Sequence, residues 1–260
     1  MTEPFLRPLG SADWLQTKGN DNSCYTLSDR LLIDCNSALL MNLLNHDIDP
    51  LSMNTVLFTH MHIDHCMGLA GLLMYWRVQK GDLGLLTIAG PAATVRDQVM
   101  RTLDFVFHDS RDRMAEIKRL PNIIELSGDG TFDHPDFTIA YTDSDHAVPG
   151  LCYRVTDKAT GHTVGLSGDT LYQSKYGAFF RDVDLLAHEC SYGAGPLDDF
   201  VAICRHSSAR EAAAVANESI ARRLMLTHTY EPKREAALAE AQRRTSIPVL
   251  WATPFVPVAF

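Results

Sequence analysis

The segment that decides the fold is His60-Met61-His62-Ile63-Asp64-His65. It directly follows an apolar stretch, Asn54–Thr59, that is typical of a buried strand. Side chains two residues apart in an extended chain point to the same side, so His60 and His62 can bind one cation together.

The second half of this segment can serve a second cation. Asp64 and His65 come after a turn, at the start of the next predicted helix, and can point away from the first pair. Imidazole and carboxylate ligands suit zinc, and iron or manganese are alternatives. Three histidines and one aspartate within six residues, at the end of a strand, therefore predict a site for two divalent metal ions.

Further ligands are expected where other predicted strands end, because strand ends meet at one rim of a sheet. His146 follows one such strand and can complete the first site. Asp169 lies in the turn Ser167–Thr170 and can bridge two cations with its two carboxylate oxygens. His228 follows the strand that ends at Thr227 and can complete the second site.

Strands and helices alternate along the whole chain, which favours an α/β fold. The clearest predicted helices are 68–79, 207–220 and 232–243, and Pro91 is expected to open a fourth, over 92–106. A turn at 157–161 makes 151–156 and 162–167 a predicted hairpin. Because the ligand positions spread over both halves of the chain, we expect a single domain, 1–260.

Two segments in different halves of the chain resemble each other weakly in sequence. Val56–His60 and Leu224–His228 are both apolar strands that end in Thr-His. The match suggests that these strands end at equivalent rims of paired sheets.

Composition restricts the partners. The 260 residues are 46% hydrophobic and carry 23 basic against 32 acidic side chains, a formal net charge of −9. An acidic protein is poorly suited to grip long nucleic acid, since phosphates are held by Lys and Arg. No apolar run approaches the roughly 18 residues of a membrane span, and no secretory signal is visible. Six scattered cysteines favour reduced thiols, so we expect a cytoplasmic protein with no membrane partner.

Taken together, these motifs resemble the metallo-β-lactamase superfamily, and within it the ribonuclease Z branch and its phosphodiesterase relatives. The resemblance implies a four-layer αββα sandwich with two metal ions at one rim. The matching blocks are His60–His65 followed by Gly68–Leu73, His146–Arg154, Ser167–Thr170, Leu185–Cys190, Arg205–Ala209 and Leu226–His228.

Two of these blocks imply a proton donor. In ribonuclease-Z-like proteins the histidine of the block matched by Arg205–Ala209 acts near the scissile phosphate, supported by a preceding glutamate. The resemblance assigns these roles to His206 and Glu189. Two cations would acidify a bridging water to hydroxide, and Asp64 can orient this nucleophile or take a proton from it.

Departures from ribonuclease Z weaken tRNA as the substrate. Leu9–Asp13 only partly matches the Gly-Thr-Gly loop of that family. The long arm that clasps tRNA is not visible, because Asp104–Leu120 is too short and too mixed in charge to replace it. Thr229–Arg234 stands where the family often has Phe-Ser-x-Arg.

The leading hypothesis is a dinuclear metal-dependent phosphodiesterase that acts on a small or cyclic phosphodiester. The alternatives are a tRNA 3′-end processing endoribonuclease, an ester, thioester or lactone hydrolase, and a non-catalytic metal-binding protein. A small anionic substrate is expected in preference to nucleic acid. Relatives commonly form homodimers, although no segment of this sequence defines an interface.

Overall fold

In the computed structural model, which describes residues 3–107, 119–195 and 204–260, two seven-stranded mixed sheets face each other. The first sheet has the order β14-β1-β2-β3-β4-β5-β6. Its strands are β1 (Phe5–Gly10), β2 (Cys24–Leu27), β3 (Leu31–Ile33), β4 (Thr55–Leu57), β5 (Thr87–Pro91), β6 (Asn122–Leu126) and β14 (Val258–Ala259).

The second sheet has the order β13-β12-β11-β10-β9-β8-β7. Its strands are β7 (Gly130–Asp133), β8 (Phe137–Asp143), β9 (Leu151–Asp157), β10 (Thr163–Leu166), β11 (Leu185–Glu189), β12 (Leu224–Thr227) and β13 (Val249–Trp251). The predicted hairpin is confirmed, because β9 and β10 pair antiparallel with Val155 opposite Val164.

Helices cover the outer face of each sheet. The helices between the strands of the first sheet are α1 (Leu39–Leu44), α2 (Ile63–Cys66), α3 (Leu69–Lys80) and α4 (Val95–Val106). The second carries α5 (Lys175–Phe179), α6 (Ala209–Glu218) and α7 (Arg234–Arg244). Single 3₁₀ turns lie at Pro50–Ser52, Leu83–Leu85 and Glu231–Lys233.

Successive side chains of the buried strands point to opposite faces of their sheet. They form three apolar layers, one between the two sheets and one under the helices on each side. In β4, Val56 packs outward against α1, α3 and α4, whereas Leu57 packs inward between the sheets. In β11, Leu186 packs outward under α5, α6 and α7, and Leu185 packs inward. Strands buried on both faces read as continuous apolar runs. The layers are helix, sheet, sheet, helix, which confirms the expected αββα sandwich.

Two local expectations from the sequence differ from the structure. Pro91 does not open a helix but ends β5, where it pairs with Leu126, and α4 begins at Val95. The carbonyl of Pro91 instead accepts the backbone N–H of Thr94, which turns the chain into the helix. Strands β1, β2, β7 and β14 were not predicted. Of these, β1 contains Pro8 and an irregular register, both of which obscure a strand pattern.

The two Thr-His strand ends mark one rim of the sandwich. Strands β4 and β12 belong to different sheets, and the residues that follow them place His60 and His228 at the same end of the molecule. In the described parts of the chain, no helix has the length and apolar character to cross a membrane. All six cysteines are free.

Candidate metal centre

A first cluster of donor atoms forms around His62. Its Nδ1 lies 3.0 Å from Nε2 of His60 and 3.1 Å from Nε2 of His146. Oδ2 of Asp169 lies 3.6 Å from Nε2 of His60. The loops after β4, β8 and β10 supply these side chains, so the three strand ends converge as the sequence predicts.

A second cluster lies beside the first. Nε2 of His65 and Nε2 of His228 are 3.1 Å apart, and Oδ2 of Asp64 lies 3.5 Å and 3.4 Å from them. Oδ2 of Asp169 is 3.5 Å from His65 and 3.4 Å from His228, although it also borders the first cluster. Asp169 therefore occupies the position between the clusters that a bridging carboxylate needs.

Protein groups hold four of the five histidines by the ring nitrogen that faces away from the clusters. Nδ1 of His146 donates to the carbonyl of Arg205 at 3.1 Å, and Nδ1 of His60 lies 3.1 Å from Oγ1 of Thr59. The corresponding partners of His65 and His228 are Asp34 and Ser191, at 2.8 Å each. Fixing Nδ1 in this way leaves Nε2 as the nitrogen that can coordinate a metal.

The donor set fits metal cations. Nitrogen lone pairs and carboxylate oxygens face one another within 4.8 Å in each cluster, and most of these side chains are buried. Without a cation, buried acceptors this close would repel or need protons between them. The residues that could hold metal are His60, His62, His146 and Asp169 in the first cluster, and Asp64, His65 and His228 in the second, which Asp169 also borders; His206 forms a third group of possible ligands with Asp169 and His228.

Asp34 is a site residue that the sequence reasoning missed. It follows β3 at a positive φ of 61°, and its carboxylate accepts from both the backbone N–H and the hydroxyl of Thr59. The same carboxylate accepts from His65. The only signal was a strand-end acid at the rim, in the sequence Leu31-Leu32-Ile33-Asp34.

Ser191 is the second missed residue. Its hydroxyl donates to Oε2 of Glu189 at 2.7 Å and lies 2.8 Å from Nδ1 of His228. It therefore joins the metal cluster to the neighbouring glutamate. A serine directly after the His-Glu-Cys block gave no pattern from which this contact could be predicted.

Burial and mutual repulsion set the protonation of the first cluster. Burial, followed by repulsion from His65, holds the pKa of His60 well below its ordinary value. Burial also lowers the pKa of His62 and of His146. These imidazoles are therefore neutral at neutral pH, which is the form that coordinates a metal.

The carboxyl groups of Asp169 and Asp64 have lowered pKa values although both are buried. Burial raises the pKa of Asp169, but the facing imidazoles of His228 and His65 outweigh it and hold that pKa well below the ordinary value. Asp64 behaves in the same way, with His228 as its main counterweight to burial. Both carboxylates are therefore ionised and able to bind cations.

His206 and Glu189 form a pair next to the bridging carboxylate. Nδ1 of His206 lies 3.1 Å from Oε1 of Glu189 and 3.7 Å from Oδ2 of Asp169. Burial lowers the pKa of His206, but the charge of Glu189 more than compensates and raises it to about 9. The ring faces His146 edge-on, with centroids 4.9 Å apart. The structure thus brings His206 and Glu189 to the same rim as the metal clusters.

Glu189 is fully buried and its carboxylate is well supplied with donors. Oε1 accepts the backbone N–H of Thr170 and of Ser207, at 2.9 and 3.0 Å. Oε2 accepts the backbone N–H of Ser191 at 3.0 Å in addition to its hydroxyl. These bonds fix the carboxylate beside His206, which is what a residue that orients an imidazole requires.

Known proteins resemble this chain in sequence over most of its length. The family profile described as "Anti-Pycsar protein Apyc1" matches residues 6–247. The "Probable metallo-hydrolase YhfI" of Bacillus subtilis is 29% identical over 206 residues, covering 76% of this chain and 74% of that protein. A ribonuclease Z from Bacillus licheniformis is 25% identical over 246 residues, covering 76% of each chain.

Solved structures share the fold. The crystal structure of the metallo-β-lactamase fold protein YhfI superposes with a TM-score of 0.82 at 24% identity, covering 100% of both chains. A diphosphatase of the PhnP family superposes with a TM-score of 0.69 at 15% identity, covering 99% of this chain and 98% of that one.

Proposed function

Because the chain belongs to the anti-Pycsar protein Apyc1 family and to the metallo-β-lactamase superfamily, and is a metal-dependent hydrolase like its relatives, we propose that it is a phosphodiesterase. Its proposed substrate is a small or cyclic phosphodiester. The observation that carries the proposal is the His206–Glu189 pair beside Asp169. An alkoxide that leaves a phosphodiester needs a proton, and an imidazole held by a carboxylate can supply it.

The metal requirement follows from the donor set. We propose two divalent cations, zinc in the first instance with manganese or iron as alternatives, held by the two clusters with Asp169 between them. When bound, two such cations would lower the pKa of a water molecule and neutralise charge on the phosphate. The donors come from both halves of the chain, which supports treating 1–260 as one metallo-hydrolase domain.

The remaining roles fall to the chain's own side chains. Because Nδ1 of His206 lies beside Glu189, Nε2 is the atom that would donate a proton to the leaving-group oxygen. Glu189 would keep the imidazole oriented and charged. Asp64 lies 3.4 Å from Nε2 of His228 and would orient the attacking nucleophile through its carboxylate.

Replacement of the proton donor tests this proposal. We expect His206→Ala to lower the turnover of a phosphodiester with an alkyl leaving group by about 10²- to 10⁴-fold while metal content is unchanged. The loss should be smaller for bis(p-nitrophenyl) phosphate, because p-nitrophenolate leaves without needing that proton. His162→Ala removes a half-exposed histidine far from the rim and is the matched control. Unchanged turnover of the alkyl ester in the His206 variant would refute the role of His206 as a proton donor.

The alternatives are separated by a substrate panel. Ribonuclease Z relatives make tRNA 3′-end processing the second candidate, and precursor tRNA should be assayed beside the small phosphodiester. Thioesters and lactones belong in the same panel, because two cations also suit a tetrahedral intermediate. Absence of bound metal in the purified protein would instead favour a non-catalytic role. A small phosphodiester is favoured because the protein carries a net charge of −9.

The segment 104–120, which the sequence argument used against tRNA, lies partly outside the described residues, since 108–118 are not described. The proposal therefore rests on the proton-donor pair and on the charge of the whole chain.

A further inference from the structure

Two neighbouring loops at the rim each present a site histidine directly after a charged residue. Asp145 precedes His146, a candidate ligand of the first metal cluster, and Arg205 precedes the proposed proton donor His206. The two imidazoles face each other edge-on, with ring centroids 4.9 Å apart. The relative position of the two dipeptides therefore sets the distance between the first metal cluster and the proton donor.

The two dipeptides bind each other reciprocally. The guanidinium of Arg205 donates through Nη2 to Oδ1 of Asp145. In the other direction, the backbone carbonyl of Arg205 accepts a hydrogen bond from Nδ1 of His146 at 3.1 Å. Arg205 thus holds the loop that carries the metal ligand in two ways, with its side chain and with its carbonyl.

The backbone of Arg205 depends on these two contacts. Its φ is 55°, in the left-handed region that few residues other than glycine, asparagine and aspartate adopt. A residue with a long side chain stays in this conformation only where its surroundings hold it there. The contacts with Asp145 and His146 supply that restraint. The next residue, His206, therefore starts from a fixed backbone position.

Asp145 is itself firmly anchored. Its Oδ2 accepts a hydrogen bond from Nε2 of Gln173. Its backbone N–H lies 3.0 Å from both Oγ1 of Thr170 and the phenol oxygen of Tyr176. Because both its carboxylate and its backbone are held, Asp145 is a rigid point against which Arg205 can be positioned.

Ser207 holds the opposite flank of His206. The backbone N–H of Ser207 donates to Oε1 of Glu189 at 3.0 Å, and its hydroxyl donates to the carbonyl of Thr170 at 2.6 Å. The proton donor is thus fixed from both sides along the chain, with Arg205 on one side and Ser207 on the other. Loss of the ion pair would free one flank while Glu189 still contacts the ring.

We propose that Asp145 and Arg205 are positioning residues whose ion pair couples the proton donor to the first metal cluster. The pair fixes the carbonyl that receives His146 and, one residue later, the backbone of His206. The inference rests on the proposed phosphodiesterase function and adds two residues to its machinery. The side chains of Asp145 and Arg205 are 20% and 42% exposed. Ion pairs this exposed contribute little to global stability, so we expect loss of the pair to lower Tm by less than about 4 °C.

Removal of the carboxylate tests the proposal. With saturating zinc, we expect Asp145→Ala to lower kcat at least about tenfold for a phosphodiester with an alkyl leaving group, and less than about threefold for bis(p-nitrophenyl) phosphate. The alkyl ester needs the proton from His206 and p-nitrophenolate does not, so a displaced donor affects the two esters differently. Equal losses for both esters, or no loss for either, would overturn the proposal.

The matched control is Arg7→Ala, which breaks another partly buried ion pair, with Asp29, away from the rim. It should leave the turnover of both esters unchanged. An effect on the alkyl ester as large as that of Asp145→Ala would show that loss of any such pair suffices, and would also overturn the proposal.

Arg205 provides a second variant in case Asp145→Ala does not fold. Arg205→Gly removes the side chain at a position whose φ of 55° glycine adopts without strain, and Arg205→Lys keeps a positive charge. We expect the glycine variant to match Asp145→Ala, and the lysine variant to recover most of the alkyl-ester turnover. The double variant should lose no more than either single variant, because both act through one contact. Additive losses would show that the two residues act independently, against the proposed coupling.

Metal binding distinguishes failure of this inference from failure of the proposed function. If wild type hydrolyses neither ester, the phosphodiesterase proposal fails, and zinc calorimetry then tests the ion pair without turnover. Because the carbonyl of Arg205 fixes Nδ1 of His146, we expect Arg205→Gly to weaken one of two zinc equivalents by about tenfold. Arg7→Ala should weaken neither. Unchanged affinity for both equivalents in Arg205→Gly would refute the coupling.

Discussion

The carboxylate of Asp34 lies 2.8 Å from Nδ1 of His65, and both side chains are buried. The contact links a residue at the end of β3 to the second metal cluster, and the backbone and hydroxyl of Thr59 hold the same carboxylate in place. Asp34 therefore fixes which nitrogen of His65 carries the proton, and with it the direction in which Nε2 points.

This relationship predicts the effect of Asp34→Asn. The amide nitrogen that replaces one carboxylate oxygen cannot accept the proton of Nδ1, so the tautomer with a free Nε2 is disfavoured. We expect metal affinity to fall by about 10- to 100-fold, measured by competition with a chromophoric chelator. Asp29→Asn is the matched control, because Asp29 also has a positive φ but pairs with Arg7 away from the rim. Equal affinity in wild type and Asp34→Asn would contradict the assigned role.

Ser191 should control the other histidine of the second cluster. Ser191→Ala removes the hydroxyl that lies between Nδ1 of His228 and Glu189, whereas Ser191→Thr keeps a hydroxyl. We expect the alanine variant to lose affinity for one of two metal equivalents by about tenfold, and the threonine variant to recover most of it. Metal titration followed by calorimetry measures both steps. Equal weakening of the two variants would indicate a packing effect instead.

The rim could be located from the sequence because its candidate metal ligands come directly after the ends of predicted strands. His60, His146 and His228 each come just after a strand, and strand ends of a sandwich meet at one edge. The positions of these side chains could therefore be predicted without knowing any distance.

Other parts of the site depend on contacts that local patterns do not record. Asp34 and His65 are 31 residues apart, and an aspartate after a strand is as common in an ordinary turn. The hydroxyl of Ser191 contacts Glu189 at the end of β11 and also His206 and His228, which lie 15 and 37 residues further along the chain. Strands β1 and β2 escaped prediction for a related reason: Pro8 and an irregular register obscure β1, β2 has only four residues, and pairing with each other and with their neighbours makes both of them strands.

Removal of the metal should destabilise the protein. Eight donor contacts converge in two buried clusters, and a ligand that binds only the folded state stabilises it by mass action. At a free metal concentration of about 100 times Kd each of the two sites contributes about 2.7 kcal/mol, or about 5–10 °C in Tm for a chain of this size. Differential scanning calorimetry before and after chelation measures the shift, and added zinc should restore it.

Asp169→Asn provides the matched test of where that stabilisation arises. Because Oδ2 of Asp169 borders both clusters, the variant should weaken both metal positions and show little further loss of Tm on chelation. Asp182→Asn changes an exposed aspartate instead and should respond to chelation like wild type. A full chelation shift in Asp169→Asn would show that the bridging position contributes little.

Asp184 predicts a pH dependence of stability that is independent of the metal centre. Burial raises the pKa of this carboxyl, but the backbone N–H of Thr163 and the charge of Arg222 outweigh burial and lower it below its ordinary value. A depressed folded-state pKa means that the ionised form stabilises the fold above the unfolded-state pKa, and that this contribution is lost as the pH falls through the folded-state value. We expect Asp184→Asn to cost about 1 kcal/mol at pH 7 and progressively less at acidic pH. Urea unfolding of wild type and variant from pH 7 to pH 3 gives the difference in their unfolding free energies. Contributions from other acidic groups cancel in this difference because they are the same in both proteins. A difference in unfolding free energy that stays constant over this range would show that the charge of Asp184 does not stabilise the fold.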